Sequence, residues 1–258
     1  MIPWQSKRSP ADAPATRRWW VKWAVVGLLV AGVAFWMRTW WMPDSEDMRR
    51  FKADWRTCIK SESAEAQLEA CTRLIVSGWV KDSSLPDVYN NRGVAYWRLD
   101  QYERAIADYD RCLELNPRHV DAYVNRGNSR AFLKDLDAAI RDYVIASTLD
   151  PSHPLVYTNL GNALREKGDV VNALNLYDVA VRVASKEALP HLQRARLLMH
   201  LKRYDEAIAD FDEVLRLDGR NAEAFYQRGI CWRNQGDETR AAADLAAARA
   251  IDPNIGKR

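Results

Sequence analysis

The sequence has no Cys-x-x-Cys pair, no His-Glu-x-x-His, no glycine-rich phosphate loop and no Gly-x-Ser-x-Gly elbow. Those absences exclude, in turn, paired-thiolate metal sites, helical metalloprotease sites, phosphate cradles and a serine nucleophile on a strained turn. Histidine is scarce too. His119, His153, His191 and His200 are the only four, and no two stand four apart as a helical metal site requires. The expectation is a protein that is not an enzyme, with no catalytic residues, cofactor, metal or small-molecule substrate, and with no catalytic domain after the final residues, Asn254–Arg258. An excess of one charge is also missing. The formal net charge is +3, and residues 1–42, with Lys7, Arg8, Arg17, Arg18, Lys22 and Arg38 against Asp12, hold +5 of it, leaving −2 for the rest. A nearly neutral body lacks the dense basic face that displaces counterions from phosphates, so no nucleic-acid partner is expected.

Long apolar runs are missing except for one. From Trp23 to Met37 fifteen residues carry no charge, bracketed by Lys22 and Arg38 and then by Trp19-Trp20 and Trp40-Trp41. Lysine and arginine stems lie along lipid while their heads reach the interface, so the segment extends to residues 19–42, roughly 36 Å of helix. That crosses a hydrocarbon core of about 30 Å with some tilt, and paired tryptophans suit both interfaces. The reading is a basic cytoplasmic tail at 1–18 and a single transmembrane helix at 19–42, anchored in the cytoplasmic (inner) membrane. The remainder then faces the periplasm or outside. The small residues Gly32, Val33 and Ala34 leave a cleaved signal peptide open as the alternative, which would release an exported soluble factor.

The rest of the chain repeats itself. Counting from Pro86, new units begin at Val120, Pro154, Ala188 and Ala222, and five ungapped units of 34 residues end at Ile255. The eighth places are Gly93, Gly127, Gly161, Ala195 and Gly229; the twentieth are Ala105, Ala139, Ala173, Ala207 and Ala241. The fourth and twenty-fourth are mostly aromatic, as in Tyr89 and Tyr109, and Pro117, Pro151 and Pro253 fall at the thirty-second. Apolar residues at helical spacing on both sides of Asp100-Gln101 predict two short helices and a tight turn in each unit. Gly93 and Ala105 are expected to let the two backbones approach, with Tyr89 and Tyr109 filling the wider ends. A single unit cannot bury its apolar faces, but a stack can.

These landmarks resemble the tetratricopeptide repeat over about two thirds of the chain. The resemblance implies an all-α fold, a superhelical solenoid of helix pairs with a concave inner surface. It also implies scaffolding by binding a protein or peptide partner, an extended segment or a helix, in the groove. Residues 43–85 hold two further helical stretches that resemble a degenerate unit capping the five at 86–255. Cys58 and Cys71 fall one on each stretch, and an exported domain is oxidising, so a disulfide is expected; in a cytosolic setting both would be buried thiols. Cys112 and Cys231 sit at helix-packing places and are expected to stay free.

Two neighbouring places carry the site expectations. The seventh residues are Arg92, Arg126, Leu160, Arg194 and Arg228, and sixteen further on stand Asp108, Asp142, Leu176, Asp210 and Asp244. Arginine and aspartate vanish together, so each hairpin is expected to hold a structural ion pair, replaced by leucines in the third. The sixth residues, Asn91, Asn125, Asn159, Gln193 and Gln227, are all carboxamides. In the family this place faces the groove, and some relatives hold a peptide backbone there with asparagines. An amide offers a donor and an acceptor together, which matches a peptide unit. Asn128 and Asn162 share the face, with Arg98, Arg165, Arg196 and Arg233 nearby and Glu166 as an acidic exception. The arginines suggest an acidic partner or a free carboxylate. The plainer alternative is that small polar residues solvate an open face or bond locally. The lysines of the family's carboxylate clamp have no counterparts here.

Overall fold

The structure, a computed structural model, describes residues 45–257. The expected tail at 1–18 and span at 19–42 lie outside the described residues. Among those described, no helix is long and apolar enough to cross a membrane. The chain divides into two compact units, Met1–Ala53 and Asp54–Arg258. Of the first, the described part is the residues leading into the first helix and that helix's opening turns.

Twelve α-helices occupy the described residues: α1 (Glu46–Ile59), α2 (Ala64–Ser77), α3 (Leu85–Arg98), α4 (Tyr102–Leu115), α5 (Val120–Phe132) and α6 (Leu136–Leu149), followed by α7 (Pro154–Glu166), α8 (Val170–Val183), α9 (Ala188–His200), α10 (Tyr204–Leu217), α11 (Ala222–Asn234) and α12 (Glu238–Ile251). From α3 onward they form five hairpins, each with a first helix (A) and a second (B). The fifteenth residue closes each turn in the left-handed region: Asp100, Lys134, Gly168, Lys202 and Gly236 have φ between 58° and 88°. Three B helices then open on an aspartate, Asp135, Asp169 or Asp237, whose side chain accepts the backbone N–H three residues on. Such a cap satisfies a donor that the first turn leaves orphaned.

The pair preceding the hairpins departs from the 34-residue spacing. Helix α1 begins 39 residues before α3, and α2 begins 38 before α4. The surplus lies in the connection after α2, where Gly78 turns with φ 66° and a short 3-10 turn runs over Asp82–Ser84. The disulfide between Cys58 and Cys71 is present, with Cα atoms 4.9 Å apart.

Within the hairpins the eighth-place glycine serves a different purpose from the one expected. A Cβ on Gly93, Gly127 or Gly161 would lie 2.6, 2.6 or 2.7 Å from the ring of Tyr109, Tyr143 or Tyr177. The glycine makes room for the twenty-fourth-place ring of its own hairpin, rather than for a backbone approach at Ala105. Those three rings and Phe211 are the largest fully buried side chains. Each A helix packs on its own B helix, and each B helix on the next A. Successive A helices also touch one another, whereas successive B helices among the described residues do not. The A row is therefore the inside of the curve, which makes its open face concave.

Candidate functional site

The seventh-place arginine of each A helix points at the B helix of its own hairpin. Arg92 donates from Nε and Nη2 to the two carboxylate oxygens of Asp108, both at 2.7 Å. Arg126 meets Asp142 in the same way at 3.0 and 2.6 Å, Arg194 meets Asp210 at 2.7 and 2.7 Å, and Arg228 meets Asp244 at 2.7 and 2.8 Å. Asp142 is only 1% exposed. Hydrogen bonds donated to these carboxylates raise Arg92, Arg194 and Arg228 above the ordinary guanidinium value, against the opposing effect of burial. The fourth-place ring covers the guanidinium in three units, with Arg92 over Tyr89, Arg126 over Tyr123 and Arg228 over Phe225. In the fourth unit that place is His191, whose Nδ1 lies 2.9 Å from Asp210 instead.

A third partner escaped the sequence reading. Arg126, Arg194 and Arg228 each reach back to the preceding hairpin, to Asp110, Asp178 and Asp212. The signal was available at the twenty-fifth place, where aspartate precedes each of these arginines and Val144 precedes Leu160. The arginine thus locks its own hairpin and ties it to its neighbour. Asp142 also accepts from Arg130 Nη1 at 2.7 Å.

The carboxamides form a row along the A helices and are partly occupied with one another. Asn125 donates from Nδ2 to Asn90 Oδ1 at 3.1 Å, and Asn159 to Asn128 Oδ1 at 2.9 Å. Asn128 Oδ1 also accepts the Tyr143 hydroxyl at 2.8 Å, and Asn162 Oδ1 accepts the Tyr177 hydroxyl at 2.6 Å. With their oxygens held, Asn128 and Asn162 keep their N–H donors free of partners among the described residues. Asn91 and Gln227 are half-buried, whereas Gln193, at 9% exposure, is buried in the stack and is the weakest member of the expected row.

The arginines near this face divide. Arg98 donates to the carbonyls of Ser61 and Glu62 and to Gln67 Oε1, holding the cap against the first hairpin. Arg196 is paired with Glu223 on the next A helix. Arg165 and Arg233 are exposed and make no ion pair among the described residues. Glu166, the acidic exception, is paired with Lys134. A cavity of about 270 Å³ opens between α3 and α5, lined by Val94, Trp97, Arg98, Tyr109, Asn125 and Asn128.

His119 caps α5 through Nδ1, which accepts from the Ala122 N–H, and so places the Nε2 proton towards Asp87 at 3.1 Å. His153 Nε2 stands 3.3 Å from Asp121 in the equivalent connection. Among the described residues no group of three or more His, Cys, Asp or Glu side chains is arranged around a metal position.

Models of the tetratricopeptide repeat match residues 86–119, 125–188 and 192–254. Human sperm-associated antigen 1 is 28% identical over 79 residues, which is 31% of this chain and 8% of the human protein, so the match spans under a tenth of that relative. The crystal structure of YrrB, described as a TPR protein with an unusual peptide-binding site, is 25% identical with a TM-score of 0.57, covering 73% of this chain and 95% of YrrB. The Pseudomonas aeruginosa PilF structure, at 18% identity and a TM-score of 0.67, covers 80% of this chain and 91% of its own and shares the fold.

Proposed function

Since the chain belongs to the tetratricopeptide repeat family, we propose that it is a membrane-tethered, non-enzymatic scaffold that holds an extended peptide of a protein partner along its A helices. The observation that carries this is the amide row. Tyr143 and Tyr177 hold the oxygens of Asn128 and Asn162, leaving amide donors on the concave side of the second and third hairpins. An extended backbone has carbonyls to fill them, and the match is independent of the guest's side chains. YrrB, a peptide-binding protein of the same fold by its description, supports the reading.

The tether is the apolar stretch at 19–42, with the repeats on the far side of the cytoplasmic membrane. The Cys58–Cys71 disulfide supports that side, because such bonds persist in oxidising compartments. A cleaved, soluble form of the same factor differs only at its mature N-terminus, which N-terminal sequencing reads directly. The test of the binding face is an affinity capture from native membranes comparing the wild type with Asn159→Ala/Asn162→Ala, which removes one member of the amide row and one free donor. The double variant is expected to lose the partners that the wild type retains. Capture of the same partners in the same amounts would move the binding surface off the A helices.

A further inference from the structure

The first hairpin breaks the pattern that the second and third follow. At the ninth place, where Asn128 and Asn162 receive a tyrosine hydroxyl, the first unit has Val94. Tyr109 is 1% exposed, yet its hydroxyl has no hydrogen-bond partner among the described residues. Its ring borders the cavity between α3 and α5, with Val94 and Trp97 on one side and Asn125 and Asn128 on the other. The hydroxyl itself is not sealed in the core: it opens onto the cavity and offers a donor there. Trp97, which lines the cavity, belongs to an aromatic cluster that reaches the surface. Trp97 is 42% exposed and meets Tyr102 edge to face with centroids 6.5 Å apart, while Tyr102 stacks at 4.1 Å on Phe132, itself 58% exposed. Apolar surface and an unfilled donor thus converge on one socket, whose volume suits a single large side chain.

Further along the same face the charge is positive. Arg165 holds the twelfth place of its unit, as Trp97 does two units earlier, and is exposed without an ion pair among the described residues. Burial raises Tyr177, and the charges of Arg165 and Arg196 oppose that. With Arg196 already matched to Glu223, the uncompensated charge is that of Arg165. Neighbouring helices lie about 10 Å apart, so two units span roughly 20 Å, or about six residues of extended chain.

Resting on the peptide-groove reading above, we infer that this cavity is the groove's anchoring subsite. It takes one aromatic side chain of an extended peptide whose carbonyl accepts from Tyr109, and a carboxylate about six residues away on the same peptide meets Arg165. The pocket supplies selectivity. The amide row supplies binding that does not depend on sequence.

The test uses the full chain in lipid nanodiscs and fluorescein-labelled Gly/Ser peptides carrying one Trp and one Glu about six residues apart, in either order. Matched probes replace Trp by Ala or Glu by Gln. Fluorescence anisotropy is expected to show a loss of about tenfold for the Ala probe and about threefold for the Gln probe, the second shrinking as salt rises. Val94→Asn copies the second and third hairpins, so the stack is retained while Tyr109 gains an internal acceptor and the socket fills. It is expected to erase the preference for Trp. Equal binding of the Trp and Ala probes by the wild type, or an unchanged Trp preference in Val94→Asn, overturns the subsite. If Asn159→Ala/Asn162→Ala, neither of which lines the cavity, weakens every probe alike while Val94→Asn changes nothing, the groove stands and the subsite falls. If Val94→Asn removes the Trp preference and the asparagine variant binds as the wild type does, the subsite stands and the amide row does not. Failure of every probe to bind at about 1 mM overturns both.

Discussion

Arg92 holds Asp108 with two hydrogen bonds in a mostly buried setting, and that pair has a natural replacement in the same molecule, Leu160 with Leu176. A buried charge left without its partner costs about 3–5 kcal/mol, whereas an apolar pair of similar size costs little. Arg92→Leu alone is therefore expected to lower unfolding stability by about that amount, and Arg92→Leu/Asp108→Leu to recover most of it. Urea midpoints at a common m-value read the difference, and equal losses for both variants would remove the pair from its structural role. Arg92 is the better choice than Arg126, because Asp142 keeps Arg130 when Arg126 is lost. The pairing of the seventh and twenty-third places was legible because both lie within one hairpin, eight residues from its turn. The bond from Arg126 to Asp110 joins two hairpins and depends on how closely they stack.

Among the elements, the cap is the one most dependent on a single covalent link. Its helices do not follow the 34-residue register, and its B helix α2 has the next A helix on one side only. In a stack whose units contact only their neighbours, a terminal pair opens most easily. The disulfide closes a short loop, and its removal is expected to cost about 2–3 kcal/mol. Cys58→Ala/Cys71→Ala should therefore let the amides of α2 exchange faster while those of α8, in the third hairpin, keep their protection. Equal exchange in both proteins would show that packing and Arg98, with its bonds to Ser61, Glu62 and Gln67, hold the cap without the bridge.

For the whole molecule the cysteines give a simple count. The chain has four; Cys58 and Cys71 are bridged, and Cys112 and Cys231 are free and buried. Burial pushes the Cys112 thiol up to about 12 and the Cys231 thiol to about 11, so neither supplies thiolate at neutral pH. A thiol reagent is expected to modify none in the native protein, two in denaturant and four after reduction. A reactive thiol in the native state would place Cys112 or Cys231 outside the core. The same shifts fix a sign. An unfolded thiol ionises near pH 8.5 while the folded ones stay protonated, so their contribution is whole below that pH and is lost as the pH rises towards 11 and 12.

The 34-residue period dictated the helix pairs, their turns, the arginine–aspartate register and the aromatic cores, because each of these is settled inside one hairpin by contacts that are close in sequence. Other features needed the assembled stack. The fifteenth places are Asp, Lys, Gly, Lys and Gly, and nothing in that mixture announces a left-handed turn. The sixth-place amides looked alike as letters, yet Asn125 bonds to Asn90, Asn159 to Asn128, and Gln193 is buried. Val94 stands where the second and third hairpins have asparagine, which leaves the hydroxyl of Tyr109 without the acceptor that its counterparts use. Such features arise where side chains of different helices meet, and their distances follow from packing between units, which a repeat period does not encode.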